Sequence, residues 1–314
     1  LTSIVTVTPN PAIDHTIFIP NFTAGKVNRV KEERKDVGGK GFNVASFLKD
    51  YGVEDVVATG FLGKDNKDLF ERFLVDRQIR EEFVFLEGKT RTNIKIVDEE
   101  KKEITDINFP GLRCNDESRK ALQSKLIQLA KHCDYFVLSG SLPQGIDDDF
   151  FADVVSDLKT MGKFVALDTS GPAFNKALKS KPDVIKPNIV EFSELLGLSN
   201  PSPKDIVKGL KDLLSLGIKT ICLSMGEEGA IFVEGDTFIQ ALPLKIDVLS
   251  TVGAGDAMVA GLIVGALNGE SLIERAKLAT AFSTCALTKL GVGRTTRDRV
   301  LSIVGDIRVK EVKI

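Results

Sequence analysis

Residues 251–257 read Thr-Val-Gly-Ala-Gly-Asp-Ala and stand directly before an apolar run at helical spacing. A helix start leaves backbone N–H groups without intrahelical acceptors, and the macrodipole adds roughly half a positive charge there. Gly253, Ala254 and Gly255 are small enough to let that bare backbone approach an anion closely. Asp256, in the first turn, would repel a resting phosphate but can take a proton from an attacking hydroxyl. The combination suggests phosphoryl transfer to an alcohol. An Asp at a helix N-terminus is equally a favoured structural residue, stabilised by the dipole and by local N–H groups. Taken alone, the segment leaves both readings open.

The helix behind this turn needs neighbours to hold it. Met258, Val259, Leu262, Ile263, Ala266 and Leu267 recur at helical spacing, while Ala257, Ala260, Gly261 and Gly265 permit close packing. Two glycines inside a helix cost about 1 kcal/mol each against alanine. Tertiary contacts must supply that difference, which places the helix tip in the body of the protein.

Around it, short β-branched runs alternate with amphipathic stretches. Strands are expected over 3–8, 56–61, 134–139, 164–168, 183–186 and 220–224. Helices are expected over 42–51, 65–77, 115–132, 147–161, 172–181, 203–217, 254–268, 271–288 and 297–305. Such alternation implies a mainly parallel sheet covered on both faces, with ligands beyond the carboxyl ends of its strands. The loops that matter are therefore 9–14, 140–145, 186–191, 225–229 and 251–256. Residues 11–36 and 83–112 break the alternation. Thr16–Ile19, Thr92–Val97 and Glu103–Ile107 read as strands, the last two joined by a charged turn over 98–102. Too short to bury a core of their own, they predict a small sheet over the site, serving as a lid or a dimer contact.

The 314 residues fit one large α/β domain or two ordinary ones. With 43% hydrophobic and 27% charged residues, the composition is that of a globular protein with a large core. The longest apolar run, 257–268, is too short and glycine-rich to span a bilayer. A net charge of −2 argues against general nucleic-acid binding, so neither nucleic acid nor membrane is expected as a partner. Cys114, Cys133, Cys222 and Cys285 lie far apart without a C-x-x-C pair, so reduced thiols in a cytoplasmic protein are expected rather than zinc or disulfides. The strand-like opening Ile4–Val7, without a signal-peptide pattern, fits that compartment. His15 and His132 read as surface or packing residues.

Spacing excludes the commonest phosphate motifs. A P-loop built on Gly88-Lys89-Thr90 would need glycine at position 83, where Phe83 stands. The H-R-D and D-F-G triplets of protein kinases are absent. Gly38-Gly39-Lys40-Gly41 does not fit G-x-G-x-x-G, but it precedes a helix and offers a second polar cradle.

Asn10-Pro-Ala-Ile-Asp14, Gly38-Gly-Lys-Gly-Phe-Asn43, Ser139-Gly-Ser-Leu-Pro143, Lys186-Pro-Asn-Ile-Val-Glu191, Ser224-Met-Gly226 and Thr251-Val-Gly-Ala-Gly-Asp256 together resemble the ordered motifs of the ribokinase-like (PfkB) carbohydrate kinases. The resemblance covers residue 3 to about 305. Gly60-Phe-Leu-Gly-Lys-Asp-Asn66, Thr90-Arg-Thr-Asn93 and Thr105-Asp-Ile-Asn108 are similar to the bacterial 1-phosphofructokinase branch in particular. Tagatose-6-phosphate kinases and the minor 6-phosphofructokinases carry similar motifs.

The resemblance implies a single α/β domain, three-layer α/β/α with a mainly parallel sheet, with a small β-sheet lid drawn from 11–36 and 83–112. It implies ATP and Mg²⁺ as cofactors and fructose 1-phosphate as the acceptor, with tagatose 6-phosphate or fructose 6-phosphate as the alternatives. Asp256 would be the base, and the backbone N–H groups of Gly253, Ala254 and Gly255 the anion hole. An ordinary Asp pKa near 3.9 lies far below that of an alcohol, so proton transfer would come late in a loose transition state. Glu191 would organise Mg²⁺ through water. Asp14, Gly39 and Asn43 would hold the sugar hydroxyls, with Ser139 beside them. Arg91 would take the acceptor's phosphate, with Lys40, Lys26 and Arg29 behind it. Lys186 and Asn188 would face the ATP phosphates, and Ser224, Gly226, Gly229 and Thr251 would line the nucleotide, with Ser283 near the base. A monovalent cation such as K⁺ around Ala286–Gly293 and a homodimer formed through the lid are further implications. A sensor that keeps the fold without catalysis is the reading from another class, opposed by the intact Asp256, Gly253–Gly255 and Glu191 set.

Overall fold

The alternation of β-branched and amphipathic runs becomes strand and helix through most of the computed structural model, which describes residues 2–289 and 293–312. The first half runs β1 (Ile4–Thr8), β2 (Ala12–Phe18), β3 (Glu32–Gly38), α1 (Lys40–Tyr51), β4 (Val56–Gly63), α2 (Asp68–Asp76), β5 (Arg80–Glu81), β6 (Val84–Leu86), β7 (Thr92–Asp98) and β8 (Glu103–Ile107). There follow α3 (Asp116–Leu129), β9 (Tyr135–Ser139), α4 (Phe150–Thr160), β10 (Phe164–Asp168), α5 (Gly171–Leu178), β11 (Val184–Ile185), α6 (Ile189–Leu196), α7 (Pro203–Ser215) and β12 (Thr220–Ser224). The chain closes with β13 (Ala230–Glu234), β14 (Thr237–Leu242), α8 (Ala254–Leu267), α9 (Leu272–Leu287), α10 (Arg297–Val304) and β15 (Arg308–Glu311).

The central sheet runs β5-β4-β1-β9-β10-β11-β12 in parallel, and β13, β14 and β15 extend it antiparallel. Successive strand residues point to opposite faces. In β9, Val137 joins one apolar layer while Phe136 and Leu138 join the other; Ile4 and Val5 divide likewise in β1. The first layer is closed by α1, α2, α8, α9 and α10, the second by α3 to α7. The result is the three-layer α/β/α arrangement. Among the described residues, no helix is long and apolar enough to cross a membrane.

Short β5, the β13–β14 hairpin, β15 and α6 lie outside the expected elements. The β13–β14 hairpin turns on Gly235-Asp236, a two-residue connection that favours such pairing, and Gly235 takes the positive φ it needs. Short β15 joins its edge. Helix α6 opens on a capping box: the Asn188 side chain accepts the Val190 and Glu191 N–H groups, and the Glu191 carboxylate accepts the Asn188 N–H. The Asn-x-x-Glu spacing announces that start.

A second sheet of four strands, ordered β3-β2-β7-β8, stands apart. It takes in β3 to Gly38, whereas β6 pairs with β4 in the main body. The Asp98 carboxylate accepts N–H groups from Asn21, Phe22, Glu100 and Lys101, tying the connection after β2 to the β7–β8 turn. His15 contacts Glu33 on this sheet at 2.7 Å, and His132 is exposed.

The glycines of α8 have a packing cause. A β-carbon on Gly261 would stand 2.6 Å from the Ala279 Cα, and one on Gly265 would stand 2.5 Å from the Arg275 Cγ. Only glycine lets α8 lie this close to α9, so their propensity cost is offset by contact. The helix is buried from Asp256 to Gly265.

Candidate active site

The tip of α8 is shaped by one backbone angle. Gly253, the N-cap, sits at φ 80° and ψ −4°, a left-handed conformation that costs other L-residues roughly 1–2 kcal/mol. Behind it the first-turn amides point outward without intrahelical acceptors. A β-carbon on Gly255 would lie 3.1 Å from the Lys186 Nζ, so a lysine ammonium rests against the helix tip. The Lys186 side chain is only 6% exposed.

Asp256 is 6% exposed and accepts a hydrogen bond from the Asn43 Nδ2 at 2.7 Å. Its carboxyl is pushed from an ordinary 3.8 up to about 6, first by burial and then by the charge of Asp168. Lys40, the Asn43 hydrogen bond and Lys186 restrain the rise. A carboxylate so placed is a better proton acceptor than an ordinary one near neutral pH.

Asp168 is a site residue outside the sequence expectations. It ends β10, is 1% exposed, and holds the Lys40 Nζ at 3.0 Å and the Lys186 Nζ at 3.5 Å on its Oδ1. Its Oδ2 is buried without a protein partner. Burial works to raise its pKa, but Lys186 and Lys40 outweigh that and hold the carboxyl below its usual range. Lys40 is held well above the usual lysine value because Asp168, Asp256 and Glu191 overcome its desolvation. An acid ending the apolar strand Phe164-Val-Ala-Leu-Asp168 was the available signal, since parallel strands present ligands at their carboxyl ends.

A cleft of about 420 Å³ lies between the two sheets, lined by Asp14, Gly39, Lys40, Asn43, Arg91 and Glu191 among others. Asp14 is met by the Asn93 Nδ2 at 3.4 Å. Its pKa is raised by burial, against the opposing pull of Lys95, the Asn93 hydrogen bond and Arg91. Gly38 leaves room for it, since a β-carbon there would stand 2.4 Å from the Asp14 Oδ2. Arg91 donates to three backbone carbonyls, from Nη1 to Phe109 at 2.8 Å, from Nη2 to Asn10 at 2.9 Å and from Nε to Pro11 at 3.2 Å. Three of its five N–H groups are thus spent on loop carbonyls.

Other expected residues lie elsewhere. Lys26 and Arg29 are exposed on the β2–β3 connection, outside the cleft lining. Ser139 is buried opposite Asp168 with its hydroxyl unpartnered, while Gly140 and Ser141 face the cleft instead. The Asn188 side-chain oxygen caps α6, and Ser224 bridges to the chain at Asn188. Gly229 shapes the turn after β12, where a β-carbon would meet the Ala241 carbonyl at 2.1 Å, and Gly226 has φ 59°. Thr251 is exposed before the α8 tip and Ser283 is half-buried on α9. Of the Ala286–Gly293 stretch, Leu290, Gly291 and Val292 lie outside the described residues.

One Glu191 oxygen caps the Asn188 N–H at 2.8 Å, and the residue lines the cleft. Among the described residues no three His, Cys, Asp or Glu side chains gather into a metal cage. A hard carboxylate oxygen at the cleft edge fits Mg²⁺, which binds through one or two carboxylates and substrate phosphates and keeps its waters.

Comparison with known proteins gives the family and the fold. The family model described as pfkB family carbohydrate kinase matches residues 7–299. The chain is 42% identical over 308 residues to a 1-phosphofructokinase of Rhodobacter capsulatus, covering 98% of this chain and 97% of the relative. Phosphofructokinase-2 from Escherichia coli, crystallised in complex with potassium, superposes with a TM-score of 0.91 at 26% identity, over 98% of this chain and 99% of that one. A tetrameric inhibited form of the same enzyme superposes with a TM-score of 0.89 at 25% identity, over 98% and 99%.

Proposed function

Because the chain belongs to the pfkB family of carbohydrate kinases, we propose that it is the kinase that makes fructose 1,6-bisphosphate from fructose 1-phosphate and ATP. It is an ATP-dependent sugar-phosphate phosphotransferase. The observation that carries the chemistry is the buried Asp256 beside the Gly253–Gly255 tip, with two lysines held against it by Asp168.

Asp14, Asn93 and Asn43 would orient the sugar so that its free primary hydroxyl points at Asp256. As that oxygen bonds to the γ-phosphorus, the bond from phosphorus to the β-γ bridging oxygen breaks, ADP departs, and the hydroxyl proton passes to the Asp256 carboxylate. The α8 amides, Lys40 and Lys186 would stabilise the charge on the transferring group. Glu191 would hold Mg²⁺ through water, and the metal supplies charge neutralisation on the phosphates. ATP would run from Lys186 and Asn188 along Ser224, Gly226, Gly229 and Thr251 towards Ser283. Use of a monovalent cation such as potassium, which residues 286–293 would hold, is supported by the potassium complex of the relative.

A homodimer through the small sheet is supported by the exposed Val27, Val30, Ile104, Ile107 and Phe109; sedimentation separates it from a tetramer. Free, buried cysteines favour a cytoplasmic setting. The deciding assay is kcat/KM on fructose 1-phosphate, fructose 6-phosphate and tagatose 6-phosphate. Fructose 1-phosphate should lead, and a preference of about a hundredfold for either 6-phosphate overturns the assignment.

A further inference from the structure

Register places a second pair of charges on the cleft face of the small sheet. Asp14 lies opposite Asn93 across β2 and β7, and Lys95 lies opposite Asp106 across β7 and β8. Residues two apart on a strand share a face, so Asn93 and Lys95 both look into the cleft, and Asp106 lines it beside them.

Three cations line this cleft, and two already donate hydrogen bonds within the protein. Lys40 is bonded to Asp168, and Arg91 is spent largely on backbone carbonyls. Lys95 is different. Its side chain is 20% exposed, and its Nζ stands 3.6 Å from the Asp106 Oδ1, beyond hydrogen-bond reach. Among the described residues it donates no side-chain hydrogen bond. A mostly buried ammonium with a carboxylate at ion-pair distance but no hydrogen bond keeps its N–H donors open to an anion.

We infer that Lys95 and Asp106 together read the phosphorylated end of the acceptor, Lys95 taking the ester phosphate and Asp106 the hydroxyl on the adjoining ring carbon. The inference rests on the fructose 1-phosphate reading above. A ketohexose furanose carries a CH₂O arm at each end of its ring, one on C2 and one on C5. Fructose 1-phosphate, offering O6 to Asp256, has its phosphate on the C2 arm, and C2 bears the anomeric hydroxyl. Fructose 6-phosphate and tagatose 6-phosphate, offering O1, carry the phosphate on the C5 arm, where that carbon bears only hydrogen. Asp106 then faces a dianion with no donor between them. One residue therefore attracts the first substrate and penalises the others.

Asp106 is 55% exposed, so solvent keeps its effect nearer tenfold than the larger ratios of fully buried sites. Asp106→Ala should lower kcat/KM on fructose 1-phosphate about tenfold, leave fructose 6-phosphate unchanged or improved, and hold KM for ATP. Lys95→Met should raise KM for fructose 1-phosphate roughly tenfold or more with a much smaller change in kcat, and Lys95→Arg should recover part of the loss. Equal damage to both sugars by Asp106→Ala, or equal damage to sugar and ATP by Lys95→Met, overturns the inference. A wild-type enzyme that prefers a 6-phosphate removes the parent reading and this one together. A preference for fructose 1-phosphate that survives Asp106→Ala removes this one alone.

Discussion

Asp256→Asn should damage the enzyme and stabilise the protein at once. The carboxyl is raised from 3.8 to about 6 in the folded state, a shift of about two units, or about 3 kcal/mol between its two protonation states. Well below pH 4 the group carries its proton whether the chain is folded or not, and it costs nothing. Between about pH 4 and pH 6 the unfolded chain ionises first, so folding loses stability; above pH 6 the full cost is present. Asparagine cannot ionise, and its carbonyl oxygen can still accept from Asn43. At about 2.1 cal/mol/K per residue, the unfolding entropy of 314 residues is about 0.7 kcal/mol/K, which converts 3 kcal/mol into about 4–5 °C. Differential scanning fluorimetry at pH 8 should show that gain in Tm, shrinking to about a third by pH 4.5. Coupled ADP assays should show kcat reduced by roughly 10²-fold or more. A Tm difference that is absent at pH 8 or constant with pH refutes the burial cost. A kcat within a few-fold of wild type refutes the base.

In wild type the acid limb of kcat/KM should fall near pH 6, and Asp168→Asn should move it lower while raising KM for both phosphorylated substrates roughly tenfold, the scale of one charge-assisted hydrogen bond; an unmoved limb would show that Asp168 does not tune Asp256. Gly253→Ala should cost about 1–2 kcal/mol of stability at φ 80° and at least about tenfold in kcat by misaiming the tip amides, read by chemical denaturation and steady-state kinetics. Unchanged kcat would remove those amides from the transfer step. Gly261→Ala gains about 1 kcal/mol of helix propensity but drives a β-carbon against Ala279, for a net loss of about 1–3 kcal/mol. A rise in denaturation midpoint would contradict the close α8–α9 packing.

Long periodic elements were legible from the sequence because their burial is one-sided and regular, as in α4, where Phe150, Phe151, Val154, Val155 and Leu158 are all buried. The α8 tip was legible for another reason: small residues followed by an acid at a helix start have few chemical uses. The hairpin after β12 was not, because Gly235-Asp236 reads as one loop signal among many. Asp168 and Lys95 escaped for a shared reason. Each takes its meaning from partners distant in sequence, Lys40 and Lys186 for one and Asp106 across a strand for the other. Arg91 shows the converse: its residue type pointed to an anion and it lines the cleft, while its bracing of the loops at Asn10–Pro11 and Phe109 could not be read from the sequence.

The cleft draws its two ends from separate hydrogen-bonded frameworks, since the four-stranded sheet shares no ladder with the eleven-stranded one. Side chains on β7 and β8 can therefore be exchanged without shifting the α8 tip, which is pinned through Gly261 and Gly265 to α9. Retargeting such an enzyme to a new sugar can therefore begin on the outer framework, with libraries at Lys95 and Asp106 that leave Asp14, Asn93 and Asn43 to aim the reacting hydroxyl.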